Sequence, residues 1–159
     1  MPTRIGKATL YLLIAYWIVT ILGILLTLLF DALYHLPTPE SLGMPVTQAP
    51  AYTMTLPYHP LLNLFVWPLF SWWYLRGLSP EVVRMREAIR LGLFWTVVTI
   101  LVDLVGWVLI PHPWQMTFKE FYVVYQPWIT LIYLVILSSP IVVARLQPTY
   151  SVQRLKEAN

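Results

Sequence analysis

The stretch Leu91-Gly92-Leu93-Phe94-Trp95-Thr96-Val97-Val98-Thr99-Ile100-Leu101-Val102-Asp103-Leu104-Val105-Gly106-Trp107-Val108-Leu109-Ile110 decides the fold. Apart from Thr96, Thr99 and Asp103 it is apolar, and a helix needs about 20 such residues to cross a hydrocarbon layer roughly 30 Å thick. A carboxylate in hydrocarbon costs several kcal/mol unless it is paired, protonated or wetted. Asp103 is therefore expected to face a neighbouring helix or a polar cavity.

Working outward, three further apolar runs occupy residues 8–30, 59–75 and 121–144. Run 8–30 comes after Arg4 and Lys7; it exceeds the ~7 to 15 residues of a signal-peptide core, and no small-residue cleavage site comes after it, so it is expected to stay in the membrane. Run 59–75 is the weakest, being short and carrying Asn63, Pro68 and Ser71. The whole chain is 58% hydrophobic and 11% charged, less than half the ~25% charge of a soluble domain. The expected fold class is all-α: a polytopic four-helix transmembrane bundle forming one integral membrane domain over residues 1–159. Such a bundle leaves no room for a soluble catalytic domain. The absence of cysteine excludes disulfides, thiolate chemistry and cysteine-ligated metals, so stability must come from helix packing.

Charge fixes the expected orientation. Arg4, Lys7, Arg76, Arg84, Arg86, Arg90, Arg145, Arg154 and Lys156 fall on one side of the runs, and Lys119 alone on the other. The positive-inside rule puts both termini and the central loop in the cytoplasm and the Pro-rich loop 31–58 on the opposite face. A bacterial plasma membrane is the expected setting. The same placement explains the pI of 9.3 without nucleic acid, which is not expected as a partner. The prolines of the 31–58 loop oppose regular helix, while its aromatic and aliphatic residues oppose disorder, so it is read as folded over the bundle mouth.

Local signals mark helix ends. Ser79-Pro80-Glu81 reads as a cap with proline at the first helical position, and Thr117-Phe118-Lys119-Glu120 as a capping box opening the fourth helix. Pro68 and Pro127 each remove a backbone donor and are expected to bend or break their helices.

Thr96, Thr99, Asp103 and Trp107 recur every three or four residues and so share a helix face. Counted at 1.5 Å per residue, Asp103 lies roughly 12 Å below Pro111 and Gln126 roughly 9 Å below Glu120. The two are expected to hydrogen-bond if their faces meet. Tyr122 and Tyr125 border that level, and Asn63 adds a third helix. Asp103, Gln126, Asn63, Thr99, Tyr122 and Tyr125 are thus the ligand-binding or proton-linked candidates. The plainer alternative is interhelical polar glue at about 1 kcal/mol per bond. His35, His59 and His112, with Glu120, form a second set able to hold a divalent metal or act as acid–base groups, though their spacing matches no metal motif. The catalytic residues and any other cofactor stay unassigned.

The function expected is binding of a small or amphipathic ligand in an outward-facing polar cavity, by a protein or subunit associated with membrane transport. Its expected partners are membrane lipids and either further copies of the chain or another membrane protein. The alternatives are an outer-face enzyme acting on a lipid-linked substrate and a structural or regulatory subunit of a membrane complex.

Overall fold

Helix α1 (Ile5–Tyr34) is apolar on nearly every side, and the residues it buries are mostly small: Ala8, Leu12, Ala15, Gly23 and Thr27. Leu10, Leu13, Trp17, Ile21, Leu25 and Leu28 point outward. Lipid tails are as apolar as leucine, so helices in a membrane gain nothing by hiding leucine and associate instead through small residues that allow close approach. The computed structural model describes residues 5–76, 78 and 81–147, with the backbone alone at 81 and 82. Among these there is no strand. Arg4, Arg154 and Lys156 of the charge argument, and Ser79-Pro80 of the expected cap, lie outside the described residues.

Short helices α2 (Pro39–Leu42) and α3 (Pro50–Thr55) come after α1, and the longer helices beyond them are α4 (His59–Leu75), α5 (Glu81–Asp103) and α6 (Trp128–Leu146). Among the described residues, three helices are long and apolar enough to cross a membrane: Ile5–Tyr34, Val83–Leu109 and Trp128–Leu146. These three support an integral membrane protein. Helix α4 has 17 residues, roughly 25 Å of rise, and falls short of that length.

Two expectations need correction. The proline-rich segment is not devoid of helix: Pro39, Pro50, Pro57 and Pro60 each stand in the first turn of a short or long helix. A missing N–H costs nothing there, because first-turn donors have no partner within the helix. The fourth apolar run is also not one helix from residue 121. Its capping box forms, with the Thr117 amide donating to Glu120 Oε2 at 2.6 Å and the Glu120 amide to Thr117 Oγ1 at 3.2 Å. The chain then runs through a π-helical stretch, Glu120–Val124, and a turn at Tyr125 to Pro127, so that α6 begins only at Trp128. Pro68 lies inside α4 without breaking it, and Pro140 lies inside α6.

Helix α6 packs most extensively on α4 and α5, and α1 closes the bundle against α4. The central layer is aromatic. Trp67 and Trp95 meet at a centroid distance of 5.2 Å, and both indole N–H groups have partners: Trp95 donates to the Ala8 carbonyl at 2.9 Å and Trp67 to Asn63 Oδ1 at 2.7 Å. At the end near Ile5, Lys7 Nζ sits over the Tyr11 and Tyr74 rings at 5.2 and 5.6 Å. There the Tyr74 hydroxyl donates to Glu87 at 2.8 Å, and buried Arg84 donates to the Gln147 carbonyl at 2.8 Å.

Gly92 sets the α5–α6 spacing, because a Cβ there would run into the Leu137 backbone carbonyl. Around Gly106 nothing lies within 4 Å of an added Cβ. Gly92→Ala is expected to destabilise the purified protein by about 1–3 kcal/mol through overpacking against rigid backbone. Gly106→Ala should leave stability unchanged or slightly raised. Thermal unfolding in one detergent compares them, and equal melting temperatures for the two variants would contradict the close-approach account.

Candidate functional site

Asp103 is 8% exposed and ends the regular part of α5, where the helix passes into the π-helical stretch Leu104–Leu109. Its two oxygens have different donors. The Tyr16 hydroxyl of α1 donates to Oδ1 at 2.7 Å, and the Tyr133 hydroxyl of α6 donates to Oδ2 at 2.8 Å. Tyr16 in turn accepts the Trp107 indole N–H at 2.9 Å, so its own proton is left for the carboxylate. One side chain thereby joins α1, α5 and α6.

This cluster borders a cavity of about 120 Å³. Room for a single water takes roughly 10–15 Å³, so the space has room for about ten water-sized groups. Its far wall comes from α4 and the α3 segment. Asn63 is buried, donating to the His59 carbonyl at 2.8 Å while accepting from Trp67. Thr27 and Thr55 share a 3.2 Å hydroxyl contact that ties α3 to α1. Gly23 faces the His59 ring, which would lie 3.4 Å from a Cβ at that position, and Tyr52 meets the same ring edge-on at 6.0 Å.

Two polar atoms in the lining are buried without a hydrogen-bond partner: His59 Nε2 and Thr99 Oγ1. Hydroxyls on these helices commonly bond back to the carbonyl four residues earlier, as Thr27, Ser71, Thr96 and Ser139 do. Thr99 does not. An unpartnered buried polar group costs about 1–3 kcal/mol, and both residues line the same space as Asp103.

Of the ten sequence candidates, Asp103, Thr99, Asn63 and His59 line this cavity. Gln126 does not: it is exposed and bonds the Tyr122 carbonyl and the Thr130 hydroxyl. The turn before Trp128 breaks the straight count down the helix, and Tyr133 takes the place opposite Asp103 that the count gave to Gln126. Tyr122 is half-buried and reaches the Ile100 carbonyl at 3.5 Å. Tyr125 belongs to a separate cluster with Leu56, Met116, Phe121 and Ile129, and donates to the Thr47 carbonyl.

The histidines do not converge. His35 is exposed just past α1 with a φ of 49°. His112 has both ring nitrogens occupied, Nε2 donating to the Gly106 carbonyl at 2.7 Å and Nδ1 accepting the Trp114 amide at 3.0 Å. Among the described residues no group of three or more His, Asp or Glu is arranged to hold a metal ion. Glu120 is committed to the capping box and also accepts from the Gln48 amide. Tyr16, Tyr133, Tyr52 and Trp67 are cavity residues that sequence reasoning passed over. Their only signal was a polar tip inside an apolar run, which a tyrosine or tryptophan in a membrane helix carries in any setting.

Neither the family models, the curated proteins nor the solved structures compared with the chain gave a match.

The two tyrosine donors to Asp103 are not equivalent. Tyr133→Phe removes one donor and should cost about 1 kcal/mol. Tyr16→Phe should cost more, because it removes the hydroxyl acceptor of the Trp107 N–H as well as a donor to Oδ1; thermal melts of the two variants test that ranking. At the capping box, the Glu120 carboxyl is held below its ordinary range by the Thr117 amide and then by the Thr117 hydroxyl. A depressed folded-state value means that the stabilisation is present at neutral pH and lost as pH falls through that value. The melting-temperature gap between wild type and Glu120→Gln should therefore shrink from about pH 7 to about pH 3; a gap that stays constant would rule the cap charge out.

Proposed function

We propose that the chain is a four-helix integral membrane protein that binds a small ligand in the Asp103 cavity, in association with transport. In this reading residues 59–75 make the fourth crossing, both termini and the Arg76–Arg90 connection are cytoplasmic, and residues 31–58 fold over the cavity on the outer face. A bacterial plasma membrane is the proposed setting. The charge distribution of the sequence supports the orientation, and the first-turn prolines of the 31–58 segment are compatible with a packed cover.

The observation that carries the ligand reading is the pair of unpartnered polar atoms, His59 Nε2 and Thr99 Oγ1, beside a buried carboxylate in one cavity. Polar glue alone requires that such groups bond to one another, and these two do not. A ligand with its own donors and acceptors would satisfy both once the Thr99 and His59 side chains turn toward it. Four helices are few for a complete secondary transporter, so the proposal includes association with further copies of the chain or with another membrane protein. The outward leucines and Phe65, which is 78% exposed, offer apolar surface to lipid or to such neighbours.

The natural lack of cysteine makes single-cysteine labelling clean. In intact cells, Ser41→Cys and the cavity-lining Thr20→Cys should react with a small membrane-impermeant thiol reagent, and Arg86→Cys only after permeabilisation. In purified protein, at least one class of small solute (anionic, neutral or cationic) should raise the melting temperature of the wild type and raise that of Thr99→Val less. Labelling of Arg86→Cys from outside would overturn the orientation. Indifference of the wild type to all three classes would overturn the ligand reading.

A further inference from the structure

The chemistry of the cavity wall selects among ligand classes, and this step rests on the reading of the cavity as a ligand site. Among the described residues that line it, Asp103 is the only Asp, Glu, Lys or Arg. Among the described residues it forms no ion pair; the pair seen, Arg90 with Glu87 at 4.0 Å, belongs to a different part of the bundle. A buried carboxylate with hydroxyl donors but no cation beside it is attractive to a positive ligand and repels a negative one.

Its valences are also incomplete. A carboxylate offers about four acceptor positions, and Tyr16 and Tyr133 fill one on each oxygen. Thr99 Oγ1, one helical turn before Asp103 on the same face, is buried without a partner and would accept an N–H by a turn of its side chain, and His59 stands on the α4 wall with Nε2 likewise buried without a partner. Around these atoms the cavity is lined by Tyr16, Tyr52, Trp67, Trp107, Trp114 and Tyr133. Aromatic faces carry negative quadrupole density and favour cations, particularly where water is excluded. An anion would meet these rings and the carboxylate with no compensating Lys or Arg among the described lining residues. A neutral polar molecule could use the hydroxyls but would leave Asp103 without its counter-charge. The space of about 120 Å³ is ample for a small amine.

We infer that the cavity binds a small primary-amine cation, with its ammonium group donating to Asp103 and Thr99 and its carbon side against the aromatic wall. No covalent step is involved.

The probes are ethylammonium chloride, its uncharged isostere ethanol, sodium acetate, and sodium chloride as the ionic-strength control, titrated calorimetrically into the full chain in lipid nanodiscs. Ethylammonium is expected to bind the wild type, with ethanol, acetate and sodium chloride giving no saturable signal. Thr99→Val should weaken ethylammonium binding several-fold while keeping or raising the melting temperature of the ligand-free protein, because it removes a hydroxyl that has no partner. Asp103→Asn should weaken binding by at least about tenfold, the loss expected for a charge-assisted hydrogen bond; if that variant does not fold, Thr99→Val decides. Ethanol or acetate binding as well as ethylammonium would overturn the cation assignment while leaving a ligand site. Absence of binding by any probe would overturn both, as would binding unchanged in Thr99→Val and Asp103→Asn together.

Discussion

Burying one carboxylate inside a bundle of apolar helices is the constraint around which this molecule is arranged. Without partners, Asp103 would cost several kcal/mol. Two tyrosine hydroxyls from different helices remove much of that cost, and each such bond in a membrane bundle contributes about 1 kcal/mol. Because Tyr16 lies on α1 and Tyr133 on α6, satisfying the carboxylate also fixes the rotation of both helices about their axes. The Trp107 N–H then orients the Tyr16 hydroxyl. A local electrostatic requirement thereby becomes a tertiary specification, which non-directional contact between leucines and lipid cannot supply.

That constraint was partly legible in the sequence. Asp103 stands out in any apolar run, and the period of three to four residues puts Thr99 on its face. Asn63 and His59 were recoverable because polar residues at a helix entrance are conspicuous. Its partners were not recoverable. Tyr16 and Tyr133 sit in stretches that read as apolar, and which tyrosine meets which carboxylate depends on helix rotation and on the register between distant segments. Gln126 illustrates the second point: counting 1.5 Å per residue assumes an unbroken helix, and the turn through Tyr125 and Pro127 ended that assumption. The sequence did carry a warning in Pro127, but a missing donor marks where a helix can break without saying how far the chain then shifts. The prolines of residues 31–58 show the same asymmetry. Their composition opposed helix, whereas their positions in first turns permit it.

Close packing elsewhere gives the polar cluster its fixed frame. Gly92 lets α5 approach the Leu137 carbonyl of α6, and Ala8, Ala15, Ala88 and Ala144 are all buried at 3% exposure or less. Small residues of this kind leave little freedom for sliding, since a shift of one turn would drive larger side chains into the gap. The tryptophans of the central layer add directional bonds to this packing, because both Trp67 and Trp95 donate to fixed acceptors. A cavity survives next to such a dense layer only where side chains are held away from its centre. His59 against Gly23, Tyr52 against His59, and the Thr27–Thr55 contact do this at the α3 end.

Thr96 and Thr99 differ in how their hydroxyls are satisfied. Both lie on α5, and only Thr96 bonds back to its own helix, to the Gly92 carbonyl at 2.8 Å. Thr99 is the more deeply buried of the two, at 2% exposure, so an unpartnered hydroxyl is more costly there. If the bundle served packing alone, a valine at that position would occupy nearly the same volume and carry no such cost. In the proposed reading, a ligand in the cavity takes up that hydroxyl. The same reasoning applies to His59 Nε2, where a phenylalanine would fill the pocket edge without leaving a polar atom bare. Asp103 makes the bundle specific through the bonds it forms with Tyr16 and Tyr133, whereas Thr99 Oγ1 and His59 Nε2 are buried without a partner.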